Sequence, residues 1–118
     1  MYDQITVMAK ELYEKSVALR RDLHRHPETG WLEMRTSAVI AGILTNLGYE
    51  VLTGRQVVDD GARMGLPSEE ARREHTKLVR ESWDTPLTYL TEEMEAGYTG
   101  VIGILRCGQG PVCALRFD

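Results

Sequence analysis

At 118 residues the chain has the length of one small domain, and 42% hydrophobic with 27% charged residues is the composition of a soluble globular protein. The formal net charge is −4 and basic residues interleave with acidic ones, so we expect no surface for nucleic acid. No apolar run approaches the roughly 20 residues of a membrane helix, and the N-terminus lacks the basic and apolar regions of a secretory signal. These features predict a cytoplasmic protein that binds neither nucleic acid nor membrane.

The first predicted element is a long amphipathic helix from about Asp3 to Arg25. Its apolar residues recur at steps of three or four, the spacing of one helical face. Because the residue before a proline is pushed out of the helical region, Pro27 should end this helix near His26. The residues of the predicted face are Ile5, Met8, Leu12, Ser16, Leu19 and Leu23.

A second helix is predicted from about Glu33, and Gly48 is predicted in the left-handed conformation just beyond its end. Its core-facing residues are expected to be Ile40, Ile43, Leu44 and Leu47. A short strand, Tyr49 to Leu52, should follow.

Residues 54–97 are polar and highly charged, and they contain two predicted helices. Ser68 is expected to cap the first, with Glu69 and Glu70 in its first turn. The second is predicted to start with Thr85 as N-cap and Pro86 at its first position, and to end at Gly97. This segment is interpreted as a helical insertion between two strands of one sheet, or as a lid over a cleft.

Two apolar runs near the C-terminus, joined by the turn residues 108–111, predict a β-hairpin of strands 101–105 and 112–117. This hairpin and the strand after the second helix give three strands of a larger mixed sheet, so the predicted fold class is α/β. Cys107 and Cys113 flank the turn, and in a chain without an export signal they are expected to be reduced core residues, although a cross-strand disulfide is the alternative.

The histidines are the first candidates for chemistry. His24 and His26 lie near Asp22 and Glu28, but on a helix their side chains point about 200° apart, so capping or a supporting role is favoured over joint metal ligation. His75 is interpreted as a solvated residue of a charged helix.

The acidic pairs Glu69–Glu70 and Glu92–Glu93 are interpreted as solvated rather than catalytic. The chain contains no P-loop, nucleophile elbow, H-E-x-x-H or C-x-x-C motif, and its Gly-rich turn opens no helix that would bind phosphate. No residue is therefore predicted to be catalytic, to bind a cofactor or to ligate a metal.

The segment RRDLHRHPETGWLEMRTSAVIAGILTNLGYEV resembles the opening of the M20 metallopeptidase/amidohydrolase superfamily, with an H-x-x-P-E motif at His24, Pro27 and Glu28 and an R-T pair at Arg35 and Thr36. The segment RMGLP, at Arg63 to Pro67, is similar to a segment found in the branch of this family that hydrolyses p-aminobenzoyl-glutamate. The resemblance covers nearly the whole chain but only an N-terminal part of the family's usual length. It implies that residues 1–118 belong to the N-terminal part of a catalytic domain.

The resemblance also implies an activity. A metal-bridged water would attack the amide of p-aminobenzoyl-glutamate, releasing p-aminobenzoate and glutamate. The family uses two divalent ions, Mn or Zn, and the motifs that ligate them lie beyond Asp118. Asp118 itself matches a position near the metal site that is not a usual ligand. The resemblance therefore predicts a fragment that binds no metal and is inactive alone, and that joins the rest of the catalytic domain or a homologous B subunit.

Two alternatives stay open at this stage. The chain could be a non-enzymatic interaction module that uses its inserted helices and pairs through the exposed edge of its last strand, including as a homo-oligomer. It could also be a small metal-binding protein that uses His24, His26 and nearby acids.

Overall fold

A computed structural model describes residues 1–82 and 87–117 of the protein. In chain order, its elements are α1 (Tyr2–Arg25), α2 (Met34–Asn46), β1 (Glu50–Thr53), short 3₁₀ turns at Gly54–Gln56 and Asp60–Ala62, α3 (Glu69–Glu81), α4 (Glu92–Glu95) and β2 (Val101–Ile104). The mixture of helix and strand agrees with the predicted class.

Helix α1 has the predicted bounds, and it ends at His26, whose backbone N–H is donated to the carbonyl of Leu23. Its predicted apolar face, however, is not packed in a core. No residue of α1 is buried, and Ile5, Met8 and Leu12 are 56%, 61% and 55% exposed. The helix was predicted correctly, but its first half has no cover in the described structure.

Helix α2 also forms where the sequence predicted it, and Gly48 beyond it has φ 86°. Its buried apolar residues are different from those predicted. Met34, Ala38 and Ala41 are buried, whereas Leu47 is exposed. Small side chains on this face let α2 lie close to Met94, and Leu47 falls past the end of the helix, where its side chain stays in solvent.

The sheet has two antiparallel strands in the described part of the chain, with Glu50 opposite Ile104 and Thr53 opposite Val101. The predicted hairpin is corrected, because β2 pairs with β1 and residues 105–117 form no strand. A strand needs a hydrogen-bonded neighbour, and no described segment lies beside these residues as one. Their apolar side chains are exposed instead: Val112 96%, Leu115 75% and Phe117 85%.

Residues 54–97 leave the sheet at the end of β1 and return at the start of β2. Ser68 caps α3 as predicted, accepting a hydrogen bond from the N–H of Ala71. Helix α4 is shorter than predicted and is capped by Thr91, while Gly97 follows its end with φ 88°. The predicted cap at Thr85 and Pro86 lies outside the described residues.

The core lies between α2, α4 and the sheet. Ala38, Ala41 and Met94 form its buried centre, and Val51, Leu90 and Val101 pack around them. Helix α3 contacts α2 through Thr76, whose hydroxyl lies 3.4 Å from the sulfur of buried Met34, and Val79 of the same helix is also buried.

Candidate functional site

The carboxylate of Glu28 binds the N-terminus of α2. One oxygen accepts the N–H of Arg35 at 2.9 Å and the other accepts the N–H of Thr36 at 2.8 Å. The first amides of a helix have no partner within the helix, and they carry its positive dipole end, so a carboxylate is well placed there. The Glu of the H-x-x-P-E motif therefore fixes the start of the second helix.

The same carboxylate contacts the inserted helix. His75 of α3 places Nε2 3.0 Å from Oε1 of Glu28, and the two side chains are only 15% and 3% exposed. This corrects the interpretation of His75 as a solvated residue. Ala71, His75 and Val79 recur at four-residue steps, and this spacing is the signal that places His75 on the inner face.

Arg35 and Asp22 connect the end of α1 to the start of α2. The guanidinium of Arg35 lies 2.9 Å from the carboxylate of Asp22, and the ring of His26 lies 2.9 Å from the carbonyl of Asp22. The capping role predicted for His26 is confirmed, while His24 is exposed. We call Asp22, Glu28, Arg35 and His75 the junction cluster, because they join α1, α2 and α3.

A neighbouring set of hydrogen bonds fixes the chain before β2. The Ser37 hydroxyl donates to the carbonyl of Thr99, and the Thr99 hydroxyl donates to the Glu33 carboxylate at 2.9 Å. A side chain of α2 and the side chain of its N-cap residue thus determine where β2 begins.

The R-M-G-L-P segment is held by long-range contacts rather than by regular structure. Arg63 donates to the carbonyl of Ala96 at 3.1 Å and also pairs with Asp60. The indole N–H of Trp31 donates to the carbonyl of Met64 at 2.8 Å, and Trp31 itself has the left-handed φ of 66°. Such a backbone conformation is unfavourable for a bulky residue and persists only where its surroundings fix it.

Tyr98 is buried, and two cations lie over its ring. The guanidinium carbons of Arg55 and Arg63 lie 4.2 and 3.7 Å from the ring centroid, within the range of a cation–π contact. The Tyr98 hydroxyl donates to Asp60, and this bond, with Arg63, lowers the pKa of Asp60 below its usual value. The same bond and burial raise the pKa of Tyr98.

Most polar atoms of these side chains already have partners within the protein. Within residues 1–82 and 87–117 no group of three or more His, Cys, Asp or Glu side chains could hold an ion. The oxygens of Glu28 are already bound to N–H groups, and the ring of His26 is bound to a carbonyl. The described residues therefore do not fit the metal ions that the resemblance implies.

Other candidates are placed apart from the junction cluster. Cys107 and Cys113 are free thiols as predicted, but both are exposed rather than in the core. Glu69 is solvent-exposed and pairs with Arg73, whereas Glu93 contacts the backbone N–H of Arg55. Asp118 lies outside the described residues. No helix in the described ranges is long and apolar enough to cross a membrane.

A scan against models of protein families finds no match. Among curated proteins, the chain is similar to the A subunit of p-aminobenzoyl-glutamate hydrolase from Escherichia coli, at 39% identity over 84% of this chain and 22% of that protein. It is 38% identical to indole-3-acetyl-aspartic acid hydrolase of Enterobacter agglomerans, over 92% of this chain and 25% of that protein.

Among solved structures, the chain matches the crystal structure of the aminobenzoyl-glutamate utilization protein from Klebsiella pneumoniae, with a TM-score of 0.79 and 39% identity. The match covers 85% of this chain and 25% of the Klebsiella chain. The predicted resemblance to this group of hydrolases is confirmed. The chain spans about a quarter of the length of these relatives, as expected for a match to part of the family's length.

Proposed function

We propose, from the premise that this chain is related over most of its length to the A subunit of p-aminobenzoyl-glutamate hydrolase, that it forms part of a metal-dependent amidohydrolase catalytic domain. The reaction would convert p-aminobenzoyl-glutamate into p-aminobenzoate and glutamate. The observation that carries this proposal is 39% identity to the Klebsiella protein at a TM-score of 0.79.

The names of two relatives indicate a substrate class. One protein is named for p-aminobenzoyl-glutamate and the other for indole-3-acetyl-aspartic acid. Both compounds join a carboxylic acid that carries an aromatic ring to an acidic amino acid through an amide bond. We therefore propose the amide of such a ring-bearing acid with glutamate or aspartate as the substrate class, with p-aminobenzoyl-glutamate as its specific member.

We propose that these 118 residues have a structural role in the catalytic domain. Hydrogen bonds of the junction cluster between α1, α2 and α3 support this structural role. The two divalent ions, Mn or Zn, would be held by residues that this sequence does not contain. The chain alone is accordingly proposed to be inactive and to bind no such ion tightly.

The proposed partners follow from the same relationship. The name of the E. coli relative marks it as one subunit of a hydrolase. We propose that the chain works with the remainder of the catalytic domain, and that the complete protein assembles with a homologous B subunit in the cytoplasm.

A chimera tests this function. In it, this chain replaces the matched region of the E. coli relative, and hydrolysis of p-aminobenzoyl-glutamate is measured with Mn²⁺ or Zn²⁺ in the presence of the E. coli B subunit. The chimera should be active, while the 118-residue chain and an E. coli protein lacking the region should not. A folded but inactive chimera, or hydrolysis by the 118-residue chain itself, would contradict the proposal.

A second candidate function is a non-enzymatic module that pairs through residues 112–117. It is favoured by the exposure of Val112, Leu115 and Phe117, because such a segment can add to a sheet edge of another chain. Sedimentation should then reveal an oligomer of the 118-residue chain that Leu115→Lys abolishes. A monomer at high concentration would exclude this candidate.

A further inference from the structure

Both cysteines of the chain lie in its exposed C-terminal segment. Cys107 and Cys113 are free thiols, and every residue from 105 to 117 is exposed. A buried cysteine acts mainly as a small apolar side chain, whereas the reactivity of an exposed thiol decides what it can do. Neither cysteine packs in the core of the described structure, so their chemistry is the property to consider.

The two thiols lie on either side of a turn at the end of the sheet. Cys107 follows closely after β2, and its neighbour Arg106 binds Glu50 of β1 at 3.0 Å. The Cys107 sulfur lies 3.9 Å from the carbonyl oxygen of Leu105. Cys113 lies beyond the turn, where residues 111–117 form no helix or strand. One thiol is therefore held near the sheet, and the other is on a segment outside regular structure.

The connection between the two cysteines is suited to closure of a disulfide. It consists of residues 108–112, in which Gly108 and Gly110 have φ of 120° and 153°, a region that residues with a side chain rarely adopt. A flexible chain of this length has an end-to-end distance of roughly 12–15 Å, and a disulfide needs Cα atoms within about 7 Å of each other. Within the described residues, no backbone hydrogen bond of 107–113 has to break for the ends to meet.

We propose that Cys107 and Cys113 form a dithiol site that reacts with low-molecular-weight disulfides of the glutathione class. The thiolate of one cysteine attacks a sulfur of the small disulfide, which forms a mixed disulfide and releases one small thiolate. The thiolate of the other cysteine then attacks the protein sulfur of the mixed disulfide, forms the Cys107–Cys113 bond and releases the second small thiolate. Two electrons pass from the protein to the small disulfide, and the two cysteine protons end on the released thiols.

Closure of this site is reversible and depends on the surrounding thiols. A short flexible connection gives the two thiols an effective concentration in about the millimolar range, and exposed disulfides are the labile kind. A pool rich in reduced thiol therefore keeps the site open, and a more oxidised pool closes it. Closure ties the segment that carries the exposed side chains of Leu115 and Phe117 to the end of β2. The inference is independent of the proposed hydrolase activity.

Equilibration of the 118-residue chain with mixtures of reduced and oxidised glutathione tests the site. Free thiols are then blocked with N-ethylmaleimide, and trypsin, which cleaves after Arg106 and Arg116, leaves both cysteines in one peptide. As oxidised glutathione increases, this peptide should lose both free thiols, carry no glutathione and be lighter than the reduced peptide by the mass of two hydrogen atoms. Half should be closed when the squared concentration of reduced glutathione, divided by that of oxidised glutathione, is in about the millimolar range.

Cys107→Ser and Cys113→Ser are the matched controls. Each should retain one bound glutathione under the oxidising mixtures, because its single thiol has no second cysteine to displace the small thiol. A wild-type peptide that carries two glutathiones, or that is linked only to a second copy of the chain, would overturn the inference. A peptide that keeps both thiols reduced at the highest proportion of oxidised glutathione would overturn it as well. Hydrolysis by the chimera with the E. coli relative bears on the proposed function alone.

Discussion

The two ends of α1 differ in the contacts that their side chains make with the rest of the protein. At the C-terminal end, the side chains of Glu28, Arg35 and His75 are largely buried and contact groups of other segments. At the N-terminal end, Ile5, Met8 and Leu12, which we call the α1 apolar face, are exposed to solvent. Burial of polar groups without partners is costly, as is exposure of apolar patches; the hydrogen bonds of Glu28 and His75 reduce the first cost at the junction cluster, whereas the second remains at the other end of α1.

This difference separates contacts that the described residues make with one another from an apolar surface that they leave uncovered. The orientation of α1 against α2 and α3 is determined locally, because the polar contacts that join the junction cluster lie within residues 22–75. We therefore expect substitutions in the junction cluster to lower the stability of the 118-residue chain more than substitutions of Ile5, Met8 or Leu12.

The largest effect is expected for Glu28→Ala. Its carboxylate accepts two helix N–H groups and contacts His75, so its removal leaves several buried donors without an acceptor. The free energy of unfolding of the chain should fall by about 3 kcal/mol or more in urea denaturation. Glu14→Ala, at an exposed position of α1, is the control and should change it by less than about 0.5 kcal/mol.

A smaller effect is expected for His75→Ala. The buried ring is a partner of Glu28 from the inserted helix, and its loss should lower the free energy of unfolding by about 1–2 kcal/mol. Lys77→Ala, on the exposed side of the same helix, should have almost no effect. Equal results for the two variants would restore the interpretation of His75 as a solvated residue.

The smallest expected effect is the dependence of stability on pH that arises from Tyr98 and Asp60. Because its bond to Asp60 and its burial raise the pKa of Tyr98 above 10.0, its contribution to stability is present below about pH 10 and should be lost as pH rises through the folded value. Because the pKa of Asp60 is lowered from 3.8, its contribution is present above that pH and is lost as pH falls through the lower folded value.

Absorbance titration of tyrosine distinguishes these cases. Tyr98→Phe should remove the ionisation step that lies above the usual pKa of tyrosine, whereas Tyr13→Phe, at an exposed position, should leave that step in place. Loss of that step in both variants would contradict the contact of the Tyr98 hydroxyl with Asp60.

Local signals in the sequence predicted the helices well. Pro27, Ser68 and Gly48 act on the backbone within a few residues, and α1, α3 and the end of α2 were found where these residues placed them. The prediction of a strand at 112–117 was wrong, because an apolar run indicates that a segment can pair and does not show that a neighbouring strand is present.

The junction cluster was predicted only in part. The H-x-x-P-E motif drew attention to Glu28, but its contacts with Arg35, Thr36 and His75 join residues 7, 8 and 47 positions apart. The periodicity of α3 indicates which face of the helix is inner, but it does not identify Glu28 as the carboxylate that His75 contacts. Contacts between elements of this kind require the fold itself.

Amide hydrogen exchange of the 118-residue chain tests the contrast between the two ends of α1 most directly. The N–H groups of Arg35 and Thr36, at a helix start where amides normally exchange fast, should be protected by Glu28 at least about 100-fold more than those from Ile5 to Leu12. Glu28→Ala should abolish that difference. Equal protection at both places in the wild-type chain would contradict the account of a fixed junction and an uncovered face.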